Sequence, residues 1–323
     1  MRTAATTTTS TTVGVLDVGC FSARLLVAAR GGSLLDPVFS HKTRLRLDRA
    51  LDSSGRLGTK GVEAIIAAVA KESGLAARHG VSTVFPLATS SIRDACNSAE
   101  VVERVRRETG TELRFLSGQR EAELSYLAAR RWFGAAAGPL AVLDIGGGTV
   151  EFAAGDGGQA AFARSLRLGA RETTRTWLNA EVPSRESIDA LRGFALDRAR
   201  AAFAEAEPEL RGYRTIGCSK VLNQLARLTG ARPGRAAASV ELHVDDLRTW
   251  IPRLAVMPAA RRADLPGISR SRAHQALAGA VVAEALLTVL GGSLVVCPWS
   301  TTQGLLLTLL DQAEQEDPCL SVA

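Results

Sequence analysis

The 323-residue sequence contains no apolar run approaching the roughly 18 to 20 residues that cross a bilayer, which argues against a membrane-spanning helix. Its opening residues, MRTAATTTTSTT, have an arginine but no apolar core, so they read as a disordered Thr-rich tail over 1–12, neither signal peptide nor anchor. The five cysteines (Cys20, Cys96, Cys218, Cys297, Cys319) are odd in number, scattered and without CxxC spacing, which excludes a disulfide framework and a zinc site and sets the expectation of a cytoplasmic protein. Lysine is nearly missing: four (Lys42, Lys60, Lys71, Lys220) stand against 35 arginines. The net charge of +6 favours a polyanionic partner, but this bias, together with abundant alanine, reads first as GC-rich codon usage. No helix-turn-helix signature and no interleaving of basic and aromatic residues is present, so specific nucleic-acid binding is not expected.

What the chain does have is apolar residues, 46% of the total, and enough length for two domains. It also has one motif twice. Val13–Arg30 reads VGVLDVGCFSARLLVAAR and Leu140–Gly155 reads LAVLDIGGGTVEFAAG; each is an apolar run ending in Leu-Asp-(Val/Ile)-Gly, a turn, and a second strand-like run.

The elements around the two motifs follow a βββαβα order, repeated with elaborations, which predicts a duplicated α/β unit with two lobes around a cleft. In the first lobe HKTRLRL alternates as a strand, Thr59–Gly80 is helical, VSTVFPLATS is a strand running into a loop, and Asn97-Ser98 can cap the helix that closes at Gly110. ELRFLSG reads as a short strand and Ser117 as the cap of the next helix. In the second lobe come strand and helix over GQAAFARSLRLGARETTRTWL, two further helices around YRTIGCSKV, a loop at ARPGRAAAS, the helix VDDLRTWIPRLAV, a long buried helix ending near LLTVLGG, and strand, loop and helix from Ser293. EDPCLSVA is expected to fray. The domains are thus expected over 13–131 and 132–311, with a C-terminal tail over 312–323.

A glycine-rich turn presents consecutive backbone N–H groups and binds phosphate oxygens without a cationic side chain. Gly146, Gly147 and Gly148 can take positive φ and permit close approach, and Thr149 adds a hydroxyl. Asp144 beside such a cradle would repel phosphate unless a divalent cation or an attacking water lay between them, which points to Mg²⁺. A single GGG turn is explained equally well by the needs of the hairpin alone; two equivalent acids in a duplicated unit favour the phosphate reading.

On these residues the sequence resembles the exopolyphosphatase and guanosine pentaphosphate phosphohydrolase (Ppx/GppA) family, from Val13 to Leu310. DIGGGTVEF is similar to that family's D-I-G-G-G-S-T-E, ATSSIRDACN to A-T-S-A-x-R-D-A-x-N, LSGQREAELSYLA to S-G-x-E-E-A-x-L-x-Y, and LRLGARETT to L-P-L-G-A-x-R-L-T. The resemblance implies a duplicated ribonuclease H-like fold of the actin, Hsp70 and acetate and sugar kinase superfamily, with an interdomain cleft. It also implies Mg²⁺ or Mn²⁺, polyphosphate or guanosine penta- or tetraphosphate as partner, and a homodimer. By the same resemblance Glu121 is the base that activates water and Arg93 grips the reacting phosphate. Asp17, Asp144 and Glu151 hold the metal, directly or through waters. The turns Gly19, Cys20, Phe21, Ser22 and Gly146–Thr149 bind phosphate, with Arg44 and Arg171 along the polyanion and Asn97 ordering the Arg93 loop.

The chain departs from the family pattern at three places and from that of the wider superfamily at a fourth. Gly19-Cys20-Phe21-Ser22 replaces G-S-N-S; Arg120 replaces the first glutamate before Glu121; Thr301-Thr302-Gln303-Gly304 replaces L-R-E-G; and Lys220 stands where ATP-using relatives have the second glycine of G-x-x-G. Lys220 would fill space a purine needs and could instead meet another phosphate, which disfavours a kinase. The other departures keep a second reading open: a regulator of the same fold that binds polyphosphate or (p)ppGpp with little or no turnover.

Overall fold

The computed structural model describes residues 12–34, 36–52, 54–81, 83–204, 210, 212–230, 232–233 and 240–315. Of the two expected tails, only Thr12 and residues 312–315 fall within these, and they belong to the first strand and the last helix. The chain divides into two compact units, Met1–Leu116 with Leu305–Ala323, and Ser117–Gly304. Among the described residues no helix is long and apolar enough to cross a membrane.

In the first unit β1 (Thr12–Val18), β2 (Ser22–Ala29) and β3 (Phe39–Arg44) form an antiparallel meander, and β4 (Thr83–Ala88) lies parallel to β1, giving the order β3-β2-β1-β4. A parallel return needs a crossover, which α1 (Thr59–Arg78) supplies. Its residues Val62, Ile65, Ala68, Val69 and Ala76 recur at helical spacing and pack on Leu16, Val18, Leu25 and Val27. After β4 come α2 (Ser90–Arg93) and α3 (Ser98–Thr109), the latter closed by Gly110 in the left-handed region, φ 71°. Two local expectations fail here. ELRFLSG makes only a single bridge, Arg114 with Leu87. Asn97 stands at the N-cap position of α3, yet its side chain makes no cap bond; it is buried and pairs with the backbone of Leu57 through both its oxygen (2.9 Å) and its nitrogen (3.0 Å).

The second unit opens with α4 (Gly118–Phe133), then repeats the plan: β5 (Leu140–Ile145), β6 (Val150–Gly155) and β7 (Phe162–Leu166) form a meander, and β8 (Arg214–Gly217) lies parallel to β5. Between them run α5 (Ala170–Trp177) and α6 (Arg185–Phe203). The sheet continues through β11 (Ser293–Val296), β10 (Val240–His243) and β9 (Arg232–Pro233), in the order β7-β6-β5-β8-β11-β10-β9. The sequence predicts no strand at Val240–His243 and a loop at ARPGRAAAS; the strands found there are too short to carry an alternating pattern. The remaining helices are α7 (Lys220–Leu228), α8 (Val244–Ala255), α9 (Ala259–Arg262), α10 (Ala276–Val289) and α11 (Thr301–Gln315).

One face of this sheet packs on α4 through Ala122, Tyr126 and Ala129. The other carries the larger core, in which α10 is buried from Ala276 to Leu287 because it is apolar on every side. Its one charged residue, Glu284, is ion-paired with Arg192 at 2.9 Å and Arg248 at 3.6 Å, as a buried carboxylate requires. Helix α4 therefore packs within the second unit, although it precedes the second hairpin and was expected in the first domain.

Candidate active site

The second hairpin places its acids by strand register. Asp144 is the penultimate residue of β5 and lies directly across from Glu151 of β6, so the two side chains leave the same face. Glu151 is 4% exposed. Helix α4 starts nearby, with Ser117 as N-cap accepting from Arg120 N at 3.1 Å, and this puts Glu121 in the first turn. Burial, then the charges of Glu121 and Asp144, push the Glu151 carboxyl up to about 8, against the opposing hydrogen bonds from Thr149 and Ser165. Ser165 Oγ donates to Glu151 Oε1 at 3.0 Å. Glu121 and Asp144 thus both act on the Glu151 carboxyl, and negative charge gathered in this way favours a proton or a cation.

The glycine turn is pinned from behind. The carbonyls of Gly146, Gly147 and Gly148 accept from the amides of Ala170 (3.0 Å), Arg171 and Glu172 (2.9 and 3.0 Å) and Gly169 (3.1 Å), at the start of α5. Contrary to expectation, Gly146 and Gly147 lie outside the left-handed region. Close approach is what demands glycine here. A Cβ on Gly169 would sit 2.3 Å from the Gly148 carbonyl carbon, one on Gly146 3.1 Å from Thr149 O, and one on Gly147 3.3 Å from Arg171 Nη1. The Arg171 guanidinium therefore lies against the turn, where a planar fork of donors suits phosphate oxygens.

The parallel strands β5, β8 and β11 bring further residues to the same end of the sheet. Cys218 N donates to Leu143 O and Cys297 N to Gly217 O, both at 2.8 Å. Beyond β8, Ser219 caps α7 by accepting from Leu222 N, and exposed Lys220 is the first helical residue. Beyond β11, Ser300 N donates to Gln303 Oε1 at 3.0 Å, so Gln303 closes the start of α11 as half of a capping box. Arg120 pairs with Glu123 at 2.9 Å. These two departures from the family pattern are absorbed by local bonds. Sequence reasoning missed Ser125 and Ser165, and marked Thr301 only as a departure from the family pattern. Ser125 had a signal, since it lies one helical turn after Glu121, but its partner Thr301 is 176 residues away.

In the first unit the equivalent tip has the same backbone logic. Gly19 N donates to Ser22 O at 2.9 Å, and the carbonyls of Cys20 and Phe21 accept from Leu47 N (2.9 Å) and Leu45 N (2.8 Å). Asp17 lies across from Arg24, and exposed Arg44 across from Ser22. Arg93, the last residue of α2, donates from Nη1 to Leu116 O at 3.2 Å and from Nε to Asp94 at 3.1 Å.

Among the described residues no three His, Cys, Asp or Glu side chains are grouped so as to hold a metal ion. The Asp144–Glu151 pair nevertheless fits Mg²⁺, a hard cation commonly bound by one or two carboxylates with water and substrate phosphates completing its shell.

The sequence profile of the Ppx/GppA phosphatase family matches residues 26–313. The chain is 41% identical to exopolyphosphatase 1 of Mycobacterium tuberculosis over 93% of its own length and 88% of that protein's. It is 24% identical to the guanosine-5'-triphosphate,3'-diphosphate pyrophosphatase of Aeromonas hydrophila, covering 91% of this chain and 58% of that one. Among solved structures, an exopolyphosphatase from Cytophaga hutchinsonii superposes with a TM-score of 0.77 at 20% identity, over 93% of this chain and 98% of that one. This likeness shows that the chain shares the two-domain α/β fold of that structure.

Proposed function

Because the chain belongs to the Ppx/GppA phosphatase family, we propose that it hydrolyses the terminal phosphoanhydride bond of inorganic polyphosphate. Water attacks the terminal phosphorus, the bond to the bridging oxygen breaks, and orthophosphate leaves a chain one unit shorter. The observation that carries this reading is the meeting of Glu121, Asp144 and Glu151 beside a glycine turn braced by Arg171.

Glu121 is the base that takes the proton from the attacking water. The turn amides of Gly147, Gly148 and Thr149, the Thr149 hydroxyl and the Arg171 guanidinium donate to the oxygens of the transferred phosphoryl group, where charge gathers in a loose transition state. Asp144, with Glu151 across from it, would hold Mg²⁺ or Mn²⁺; when bound, the cation offsets phosphate charge that the carboxylates would otherwise repel. Lys220 meets a further phosphate. For Asp17, Arg93, Arg44 and the Gly19–Ser22 turn, the roles of metal ligand and phosphate contact rest on the resemblance alone, as does the homodimer; the cytoplasmic setting rests on the cysteine pattern.

The test is orthophosphate release from long-chain polyphosphate with Mg²⁺, comparing wild type with Glu121→Gln. The variant is expected to lose about 10²- to 10⁴-fold in kcat while still binding polyphosphate. Equal rates would remove Glu121 as base. Binding without release by either protein would leave the regulator reading. Offering pppGpp in the same assay and following ppGpp decides whether the guanosine nucleotide is also a substrate.

A further inference from the structure

Resting on the hydrolase reading, we infer that Thr301 and Ser125 form a hydroxyl relay that positions Asp144, an arrangement this chain builds where the family pattern has a leucine at the place of Thr301. Ser125 is 1% exposed on α4, one turn after Glu121 and on the same helix face. Its Oγ lies 3.3 Å from Asp144 Oδ2 and 2.9 Å from Thr301 Oγ1.

The direction of the relay follows from counting hydrogens. A serine hydroxyl has one proton to donate, and an ionised carboxylate has none. Were Ser125 to donate to Thr301, its lone pairs would face the Asp144 carboxylate in a part-buried site, a repulsive contact. Ser125 therefore donates to Asp144 and accepts from the Thr301 hydroxyl. One oxygen of Asp144 is held this way and the rotation of the carboxylate is restricted.

The backbone fixes both hydroxyls. Thr301 is the first residue of α11, whose start is closed by the Ser300–Gln303 bond. Three residues on, Gly304 lies so close to α4 that a Cβ there would sit 2.0 Å from Leu124 O, the residue before Ser125. Gly304 thus allows the contact, Gln303 aims the helix start, and Thr301 reaches Ser125. The TTQG departure, which removes a charged pair from the family pattern, supplies the relay in its place.

Ser125 and Thr301 are positioning residues, since neither touches a reacting atom. The experiment measures Mn²⁺ dissociation constants by electron paramagnetic resonance, and kcat and KM for polyphosphate, in wild type, Ser125→Ala, Ser125→Thr, Thr301→Leu and Thr301→Ser. Ser125→Ala is expected to weaken Mn²⁺ binding and lower kcat by about tenfold each, with KM little changed; this is the scale of one hydrogen bond to a charged group. Thr301→Leu loses about threefold. The hydroxyl-keeping variants Ser125→Thr and Thr301→Ser recover most of each loss. Mn²⁺ affinity and kcat unmoved by Ser125→Ala, losses equal in the alanine and threonine variants, or the absence of Mn²⁺ binding by wild type would each overturn the relay. Wild type that binds Mn²⁺ in a Ser125-dependent way but releases no phosphate would instead uphold the relay and overturn the hydrolase reading.

Discussion

The two hairpins put an aspartate in the same register and differ in what stands across from it. Asp17 faces Arg24, seven residues on, and Asp144 faces Glu151, also seven residues on. Both tips tie their carbonyls to a segment behind them, Leu45 and Leu47 in one case and the start of α5 in the other. The two tips share the backbone device, while the charge facing the aspartate is inverted. An acid opposite an arginine is locally balanced. An acid opposite a buried glutamate, with Glu121 adding a third charge, is not, and that imbalance is the physical reason to place the chemistry at the second tip.

The comparison can be broken first through its glycines. Gly169→Ala sets a Cβ against backbone atoms at 2.3 Å with no flexible group to yield, whereas a Cβ at Gly19 meets nothing nearer than 3.6 Å. Gly169→Ala is expected to cost roughly 3 kcal/mol or more, or to abolish soluble expression. Gly146→Ala, at 3.1 Å from Thr149 O, is expected to cost about 1 kcal/mol, and Gly19→Ala less than that. Thermal melts of the three variants read the order directly. Equal losses at Gly19 and Gly169 would mean that the two tips are braced differently from the account given above.

A carboxyl at about 8 in the folded protein, against 4.5 for an ordinary glutamate, binds a proton that the unfolded chain has released between those values. Stability should therefore fall as pH rises from 5 to 8, and more steeply than in Glu151→Gln, which has nothing to titrate there. In EDTA the difference between wild type and variant is expected to change by on the order of 5 °C in melting temperature across that window. Parallel curves would contradict the assigned burial of charge.

How much of this was legible in the sequence depends on how local each cause is. The hairpins, the crossover helix, the Ser117 cap and the buried α10 are written in short-range patterns of apolar and capping residues, and these stand as read. Asn97 follows the rule for a cap residue, but a buried backbone partner 40 residues away takes its side chain instead. Of the two reasons the sequence offers for the glycines of DIGGG, positive φ does not apply to Gly146 and Gly147 and close approach does, since α5 presses on the turn. Ser165 carries no local mark at all, and Thr301 is marked only as a departure from the family pattern. They matter because strand register and the α4–α11 contact bring them to Glu151 and Ser125.

Whether three acids share the second tip is measured most directly by titrating the Glu151 carboxyl, using ¹³C-labelled glutamate and assigning the signal by its loss in Glu151→Gln. The account predicts a midpoint near 8 that moves down in Glu121→Gln and again in Asp144→Asn. A midpoint near 4.5, unmoved by either substitution, would contradict it.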